Sequence, residues 1–218
     1  MNVDEVPDAN DELKRLGVPR VPAVAVGDKV VHGWNPAAYA ALVGVDYTPV
    51  VTLSPAVLAR RLDTILAAAE AVMRALPESR MEWTPPERNR PLADLGYHVF
   101  RLSLGFVEGV DRATFPETVH TETAPPDLRT GEAIARYGAL VRARLSGWFA
   151  GAGADEFERI VETYWGPVIA HDLLERTTWH AAQHVRQLYI LTARINIAPP
   201  VPEPTSAYEG LPMPAAIW

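Results

Sequence analysis

The sequence predicts a mainly α-helical protein in which a four-helix bundle follows a small N-terminal α/β element. From residue 54 onward, apolar residues recur every three or four positions in four long segments, the period of amphipathic helices. Before residue 50 the chain is broken by Gly and Pro, and apolar runs flank a Gly-Asp-Lys turn, which is typical of a β-hairpin. We therefore expect three regions: the small element over residues 1–50, the bundle over residues 54–198, and a Pro-rich tail over residues 199–218 that packs on the body.

The N-terminal element is predicted to be a helix, a hairpin and a second helix. The first helix lies in DANDELKRLG and the hairpin in RVPAVAVGDKVVHGW. The second helix lies in NPAAYAALVG, because Asn35 is a suitable N-cap, Pro36 occupies the first helical position and Gly44 follows the last. Such an element is too small to bury a core alone. We therefore expect it to pack on the rest of the chain or on a second copy, as in a homodimer.

Each of the four long helices has an apolar stripe that is expected to face the core. The first helix begins at Pro55 after the N-cap Ser54, the second begins near Pro91, the third covers about residues 130–149 and the fourth about residues 169–195. The predicted inward positions are Leu58, Leu62, Ile65, Ala69, Val72 and Leu76; Leu92, Leu95, Val99, Leu102 and Phe106; Ile134, Tyr137, Val141, Leu145 and Trp148; and Leu173, Thr177, His180, His184, Leu188 and Leu191.

Two connections in the bundle are unusual. Residues 111–128 are Pro-rich and irregular and form a longer link than an ordinary bundle turn, so we interpret them as a crossover, a lid or both. The segment ERIVETYW, residues 158–165, is predicted to be short and extended.

Composition excludes several classes of function. The net charge is −7 and no basic run occurs, which argues against nucleic acid or a membrane as a partner, because both require clustered Lys and Arg. The chain has no Cys, which excludes a disulfide framework, a cysteine-based zinc site and thiol redox chemistry by the protein itself. The N-terminus is unlike a signal peptide, and no apolar run approaches the roughly 20 residues of a membrane span. We expect a cytoplasmic protein that acts on a small-molecule substrate.

Two histidines interrupt the apolar stripe of the fourth helix. The block TTWHAAQHVRQ places His180 and His184 four residues apart, so their rings lie one above the other on the core-facing side. Two buried imidazoles each need a polar partner, and one metal ion satisfies both. The alternative is that each is an ordinary core histidine bonded to a neighbouring residue.

A third metal ligand is predicted on a facing helix. His98, in LGYHVFRL, lies beside the apolar stripe of the second helix, which offers no other obvious reason for an imidazole. His171 is about half a turn out of phase with His180, His120 lies in the irregular link and His32 in the hairpin, so these are interpreted as surface or structural residues, with His120 as a candidate lid residue. Three imidazoles hold a divalent ion and leave a coordination position open. Zinc is the default, with nickel or iron(II) as alternatives.

Together these elements resemble the DinB/YfiT-like superfamily. The resemblance covers about residues 54–195 and is carried by the four helices, a His on the second helix, and a WHxxxHxxQL block on the fourth, here WHAAQHVRQL. The metal-ligand positions of that superfamily match His98, His180 and His184. The resemblance implies a metal-dependent enzyme, such as a transferase for low-molecular-weight thiols like bacillithiol and mycothiol or a mycothiol-dependent maleylpyruvate isomerase; many members have no known role.

The N-terminal element resembles the C-terminal half of a glutaredoxin or thioredoxin fold. In GVPRVPAVAVGDKVVHGWNPAAYAALVG, Val21 and Pro22 match the cis-proline position of that fold, and Gly33 lies near its late glycine. The first βα unit with its CxxC motif is absent, so redox activity is not implied. We interpret the element as a docking or dimer surface, with a binding surface for a thiol cofactor as the alternative.

An open position on a three-His ion can activate either water or a thiol. It lowers the pKa of bound water toward ~7, or it holds a thiol as the nucleophilic thiolate. Because the chain has no Cys of its own and the resemblance favours it, we predict a thiol transferase or a thiol-dependent isomerase with a low-molecular-weight thiol as co-substrate. The alternatives are a metal-dependent hydrolase and a non-catalytic metal-binding protein in which His120 or Glu122 closes the site.

Two arginines are candidates for contact with the substrate. Arg101 and Arg176 each lie one turn from a predicted metal ligand on the same helix, so either guanidinium could clamp a carboxylate of the substrate or of the thiol. The alternative is that both pair with nearby carboxylates, such as Glu108 or Asp172.

The remaining candidates are polar or aromatic neighbours of the predicted ligands. Gln187 lies one turn after His184 and is predicted to donate to a bound ligand or to support the metal site. Tyr137 and Tyr164 are candidate pocket walls, with core packing as the alternative, and Trp179 is interpreted as packing. No carboxylate is in phase with the three histidines, so the sequence offers no clear general base.

Overall fold

The structure, a computed structural model, describes residues 8–18, 23–33, 35–48 and 52–217 of the 218-residue chain. The chain divides into two compact units, one over residues 1–51 and one over residues 52–218. The smaller unit contains the α/β element and the larger unit contains the bundle and the tail.

The N-terminal unit has the predicted order of helix, hairpin and helix. Its elements are α1 (Ala9–Arg15), β1 (Ala23–Val26), β2 (Lys29–His32) and α2 (Pro36–Val43). The two strands pair in antiparallel fashion. Asn35 caps α2 by accepting a hydrogen bond from the backbone N–H of Ala38 at 3.0 Å, and Gly44 ends it in the left-handed region with φ 71°. The predicted cis-proline position, Val21 and Pro22, lies outside the described residues.

The larger unit is a bundle of four long helices, which confirms the predicted fold class. Its elements are α3 (Pro55–Ala75), α4 (Leu92–Arg112), β3 (Thr114–Phe115), α5 (Thr118–Thr121), α6 (Gly131–Gly151), β4 (Ile160–Thr163), β5 (Gly166–Ile169) and α7 (Ala170–Arg194). The long helices α3, α4, α6 and α7 correspond to the four predicted stripes. Within the described part of the chain, no helix is long and apolar enough to cross a membrane.

The core lies where α3 and α4 each pack against both α6 and α7. The predicted apolar stripes face this core, and only Tyr137, Trp148 and His180 of their members are partly exposed. Helix α4 is buried around most of its circumference, because β3, α5 and β4 also pack against it. Residues beside its stripe are therefore buried as well, among them His98. This explains how a polar residue outside the apolar line reaches the interior.

The link between α4 and α6 differs from the prediction of an irregular segment. It contains β3 and the single-turn helix α5, and β3 pairs in parallel with β4 while β4 pairs in antiparallel fashion with β5. The predicted extended segment is thus one strand of a three-stranded sheet. Sequence periodicity missed the sheet because β3 has only two residues and its partner lies on the far side of α6 in the chain.

The C-terminal tail runs back along α7. The Tyr189 hydroxyl on α7 donates to the backbone carbonyls of Val201 and Pro202, both at 3.1 Å. Ala207 and Leu211 are buried. The tail therefore contributes apolar surface to the bundle core through residue 211; Trp218 lies outside the described residues.

Candidate metal centre

The structure brings together the three histidines that the sequence singled out. His98 on α4 and His180 and His184 on α7 each offer a ring nitrogen, and these nitrogens all lie within 4.8 Å of one another. The ring centroids of His98 and His184 are 5.0 Å apart, and those of His180 and His184 are 4.5 Å apart. Among the residues that the structure describes, no other group of three His, Asp or Glu side chains converges in this way.

Burial keeps the three imidazoles neutral. His98 and His184 are buried and His180 is half-buried. Desolvation is the largest cause that lowers the pKa of His184, to about 3, and it also lowers the pKa of His98 and of His180 well below the ordinary value. A neutral imidazole is the form that binds a metal ion.

His184 is held in the tautomer that a metal ligand requires. Its Nδ1 lies 2.7 Å from Oε1 of Gln187, while its buried Nε2 has no hydrogen-bond partner among the described residues. Because the Gln187 oxygen can only accept, Nδ1 carries the proton and Nε2 keeps its lone pair. A buried lone pair without a partner is costly unless a ligand satisfies it. This orphaned nitrogen, beside two further imidazoles, fits a divalent ion of the zinc type.

Gln187 is itself held by the C-terminal tail. Its Nε2 donates to the backbone carbonyl of Ile217 at 2.5 Å, and Nη2 of the adjacent Arg186 donates to the carbonyl of Ala216 at 2.6 Å. The predicted supporting role of Gln187 therefore has a specific geometry: the amide bridges a candidate ligand and the tail.

His120 is a fourth imidazole beside the cluster, which corrects its interpretation as a surface or structural residue. Its ring centroid lies 5.2 Å from that of His180 and 5.8 Å from that of His98, although it is outside the group whose nitrogens converge. Burial lowers the pKa of His120 to about 4. Periodicity could not reveal this residue, because α5 is a single turn within a Pro-rich link.

The turn between β4 and β5 supplies an aromatic wall beside His120. Tyr164 and Trp165 occupy this turn with ring centroids 4.6 Å apart, and the Tyr164 ring is 5.5 Å from that of His120. Phe115 on β3 lies 6.0 Å from His120 and 5.7 Å from Trp165. The other candidate wall residue, Tyr137, lies elsewhere and stacks on Tyr97 at 5.5 Å.

The two candidate arginines have different surroundings. The Arg101 guanidinium is engaged by Glu108 at 3.1 Å and by Glu122 at 2.5 Å, so the alternative of pairing with nearby carboxylates holds for it and the substrate clamp does not. Glu122 is correspondingly occupied by this pair and by the hydroxyl of Tyr97. The Arg176 guanidinium forms no ion pair with any described carboxylate, Asp172 included.

Aromatic rings surround Arg176 instead. Its guanidinium carbon lies 4.4 Å from the Trp165 ring centroid and 5.8 Å from that of Trp179, which itself lies 5.4 Å from His180. Desolvation lowers the pKa of Arg176 from its ordinary value, and the interaction with the Tyr164 side chain acts in the opposite direction and raises it.

The remaining two histidines agree with their predicted structural or surface character. His171 Nε2 lies 2.8 Å from the backbone carbonyl of Leu53 and belongs to the packing of the bundle. His32 ends β2 of the N-terminal unit and is exposed.

A four-helix bundle with three converging histidines defines a candidate metal-binding protein. Comparison with known families identifies the superfamily to which it belongs. A model of the DinB superfamily matches residues 61–188, more than half of the chain. The chain therefore belongs to the DinB superfamily, which confirms the resemblance drawn from the histidine motif.

Two solved structures share this fold. A DinB-like protein of Bacillus subtilis, YjoA, is 12% identical, with a TM-score of 0.53, over 66% of this chain and 94% of its own. YfiT from Bacillus subtilis, described as a probable metal-dependent hydrolase with an unusual four-helix bundle topology, is 14% identical, with a TM-score of 0.52, over 71% of this chain and 96% of its own. No curated protein sequence matches the chain.

Proposed function

We propose that this protein is a metal-dependent enzyme that uses a small thiol as co-substrate, either for transfer to a small electrophile or for isomerisation of one. The observation that carries the proposal is the convergence of three imidazole nitrogens within 4.8 Å, with one buried nitrogen left without a partner. His98, His180 and His184 are the residues that would hold the ion. Zinc suits three imidazoles, and nickel or iron(II) are alternatives.

The chain's own residues support chemistry at this site in three ways. The three neutral imidazoles supply the ligand set, and when bound, a divalent ion supplies the Lewis acidity that lowers the pKa of a coordinated thiol or water. His120 is a neutral imidazole beside His180 and can accept a proton from an incoming nucleophile. Trp165 and Phe115, with ring centroids 5.7 Å apart, provide an apolar wall beside His120.

Several observations favour a thiol as the nucleophile. The chain has no Cys, so any sulfur nucleophile must come from a co-substrate. The wall beside the histidines is aromatic, and aromatic rings make favourable contacts with sulfur. No carboxylate is part of the converging group of described residues, so the site lacks the acidic base that many hydrolases use.

Metal-dependent hydrolysis is the second candidate. It is favoured by the position of His120, which can serve as a base for water as well as for a thiol, and by the fold shared with YfiT, described as a probable metal-dependent hydrolase. A non-catalytic metal-binding protein is the third candidate, and coordination of the ion by His120 as a fourth ligand would favour it.

Metal analysis tests the site. Protein purified without a His-tag should carry about one equivalent of a divalent metal, and His180→Ala should lose it. His171→Ala is the matched control, because this histidine is on the same helix but bonds Leu53. A full equivalent of metal retained by His180→Ala would contradict the ligand assignment.

Cobalt substitution separates the candidate functions. Addition of small thiols to the cobalt-loaded protein should produce sulfur-to-metal charge-transfer bands if a thiol is the co-substrate. Their absence, with hydrolysis of activated esters or amides present, would favour the hydrolase. Absence of both would leave the non-catalytic alternative.

The N-terminal unit is proposed to be a docking or dimer element. It exposes several large apolar side chains, namely Val26, Val43, Val45 and Tyr47. Light scattering of the full chain and of a chain that lacks residues 1–50 tests this role, since an unchanged mass together with full solubility would contradict it.

A further inference from the structure

Arg176 is a charged group that has no carboxylate partner among the described residues. Its guanidinium interacts with the side chain of Tyr164. A half-buried cation without a counter-ion costs free energy unless a ligand compensates it. The structure therefore maintains this charge at a cost to its own stability.

The guanidinium is also held in place before any ligand arrives. Trp165 lies against it at 4.4 Å and Trp179 lies at 5.8 Å, and such cation–π contacts restrict its motion without using its N–H donors. A pre-positioned guanidinium binds a planar, bidentate anion with less loss of side-chain entropy than a flexible one.

Arg176 is close to the three histidines. It lies one turn before His180 on the same face of α7, a spacing that separates Cβ atoms by roughly 5–6 Å. The two tryptophans that it contacts lie beside the histidines, with ring centroids 6.4 Å apart for Trp165 and His120 and 5.4 Å apart for Trp179 and His180. Arg90, at the N-terminal end of α4, adds positive charge that acts on His98 and His184.

We infer that Arg176, with Tyr164 and Trp165, forms an anion subsite that binds a carboxylate on the molecule that reaches the three histidines. This inference rests on the proposed metal site and specifies its ligand: a compound that carries both a metal-binding atom and a carboxylate. The carboxylate belongs either to the thiol co-substrate or to the electrophile, and two experiments distinguish these sources.

The first experiment compares a charged and an uncharged thiol of similar size. Cobalt-loaded protein is titrated with 3-mercaptopropionate and with 2-mercaptoethanol, and the charge-transfer band gives each Kd. We expect 3-mercaptopropionate to bind at least about tenfold more tightly, as one charge-assisted bidentate pair provides. Arg176→Gln should remove this preference without weakening 2-mercaptoethanol, and Arg176→Lys should keep part of it.

The second experiment uses ligands that contain no thiol. Tryptophan fluorescence, to which Trp165 and Trp179 contribute, is followed while zinc-loaded protein is titrated with 3-phenylpropionate or with 3-phenylpropionamide. Tighter binding of the carboxylate that is lost in Arg176→Gln supports the subsite, and together with no preference for the charged thiol in the first experiment it assigns the carboxylate to the electrophile. Arg144→Gln is the control, since Arg144 is an exposed arginine paired with Asp111 at 2.7 Å.

The outcomes separate the subsite from the proposed function. If neither thiol gives a charge-transfer band, the thiol proposal fails, and the second experiment still decides whether the subsite exists. Equal binding of the charged and uncharged compounds in both experiments, or a preference that survives in Arg176→Gln, would overturn the inference.

A second and independent observation concerns the tail. A continuous hydrogen-bond chain runs from the Ile217 carbonyl to Nε2 of Gln187, and from Oε1 of Gln187 to Nδ1 of His184, with distances of 2.5 and 2.7 Å. The Ile217 carbonyl can only accept, so it fixes which end of the Gln187 amide faces His184. That orientation in turn keeps the proton on Nδ1 and leaves Nε2 free.

We propose that the tail positions the candidate metal ligand His184 through Gln187, so that residues 215–217 are part of the site although they touch no ligand. Groups that orient a metal-bound histidine typically change metal affinity by about 10–100-fold when they are removed. Gln187 is thus a positioning residue, and the tail sets its orientation.

A double-mutant cycle tests this coupling, which rests on the proposed metal site. A chain that ends at Pro214 should bind zinc about tenfold more weakly in competition with a chelator, and Gln187→Leu should lose a similar factor. The two changes combined should lose no more than either alone. Gln187→Glu should keep its affinity in both chain lengths, because a carboxylate accepts from Nδ1 without help from the tail.

NMR of the imidazole rings in the metal-free protein tests, without zinc, whether the tail determines the tautomer of His184. The full-length protein should show His184 as the Nδ1–H tautomer, and the shortened chain should show a mixture. Arg186→Ala, which removes the contact with Ala216 without cutting the chain, should move the tautomer in the same direction by a smaller amount. An unchanged tautomer in both variants, or a loss of zinc affinity that persists in Gln187→Glu, would overturn the proposal.

Discussion

The α3–α6 and α4–α7 interfaces of the bundle differ in whether their polar and charged side chains are paired with one another. Between α3 and α6, Arg142 pairs with Asp63 and Glu70, both at 2.9 Å, and Arg74 contacts Glu70 at 3.0 Å and Glu132 at 3.2 Å. Between α4 and α7 lie three imidazoles with an unpartnered nitrogen, and the guanidinium of α7 beside them faces aromatic rings.

The difference distinguishes polar groups that build the fold from polar groups that await a ligand. Carboxylates of the chain neutralise the arginines of the α3–α6 interface, so a structural role accounts for these arginines. The polar groups between α4 and α7 are incompletely satisfied, and buried unsatisfied groups are rare because each costs about 1–3 kcal/mol. We therefore expect a metal ion and a substrate to bind at the cluster on α4 and α7.

The largest expected effect is the loss of metal-linked stability on the α4–α7 side. Zinc at 100 times its Kd should raise the free energy of unfolding of the wild-type protein by about 2.7 kcal/mol. His184→Ala should show no such increase, because two imidazoles hold the ion much less tightly. Thermal unfolding with and without zinc measures this, and equal stabilisation of the variant would refute the ligand set.

On the α3–α6 side, the strongest effect should come from close packing rather than from charge. A Cβ added at Gly131 would lie 2.2 Å from the backbone oxygen of Met73, so Gly131→Ala should lower the free energy of unfolding by about 2 kcal/mol. Gly147→Ala on the same helix is the control, because an added Cβ there meets nothing within 4 Å. Urea denaturation should show the control to be neutral or slightly stabilised; similar losses in both variants would contradict the packing argument.

The stability of the metal-free protein should fall in acid because of the α4–α7 histidines. The pKa of His184 is lowered to about 3 in the folded protein, against an ordinary value of 6.5, so the unfolded chain binds a proton between these pH values and the folded protein does not. Stability is therefore complete above about pH 6.5 and is lost as the pH falls. His184 alone should remove about 2 kcal/mol between pH 8 and pH 5.

Denaturation at the two pH values with His184→Gln measures this contribution. The variant should depend less on pH than the wild-type protein by that amount, since the amide does not titrate. An identical pH dependence in both proteins would mean that His184 is not the group that resists protonation.

The smallest changes in stability should come from replacing one arginine of each kind with glutamine, one paired with carboxylates and one surrounded by aromatic rings. Arg142→Gln leaves Asp63 without this partner and Glu70 with only its contact to Arg74, and it should destabilise the protein by about 1 kcal/mol. Arg176→Gln should leave stability unchanged or raise it slightly, because it removes a desolvated charge that no described carboxylate balances. Thermal denaturation of the two variants side by side checks this, and a larger loss in Arg176→Gln would show that Arg176 is structural.

Much of the fold could be predicted because its signals are local. The stripe of α3 and the caps of α2 depend on residues within a few positions of one another, and Asn35 and Gly44 occupy the predicted places. Ser54 precedes α3 as predicted, although its side chain makes no capping hydrogen bond. The sheet of β3, β4 and β5 was missed, since its pairing joins segments separated by the whole of α6.

The candidate site divides in the same way. The i and i+4 spacing of His180 and His184 and the position of His98 beside the stripe of the second helix made their convergence predictable. The choice between Arg101 and Arg176 was not predictable, because it depends on which carboxylates the fold brings near: Glu122 reaches Arg101 from the link. The position of His120 beside the cluster and the contact between Gln187 and the tail could not be predicted for the same reason.

The sequence by itself determined the helical bundle, the paired imidazoles on α7 and the lack of a cysteine, since each is a property of composition or of short periodic spacing. Only the tertiary structure decided which polar groups remain unsatisfied. Whether a buried nitrogen or guanidinium has a partner depends on contacts between residues far apart in the chain, such as Gln187 with Ile217 or Arg176 with Trp165. We expect a ligand of this site to bind at those unsatisfied groups, because ligands bind where the protein does not already satisfy its own hydrogen bonds and charges.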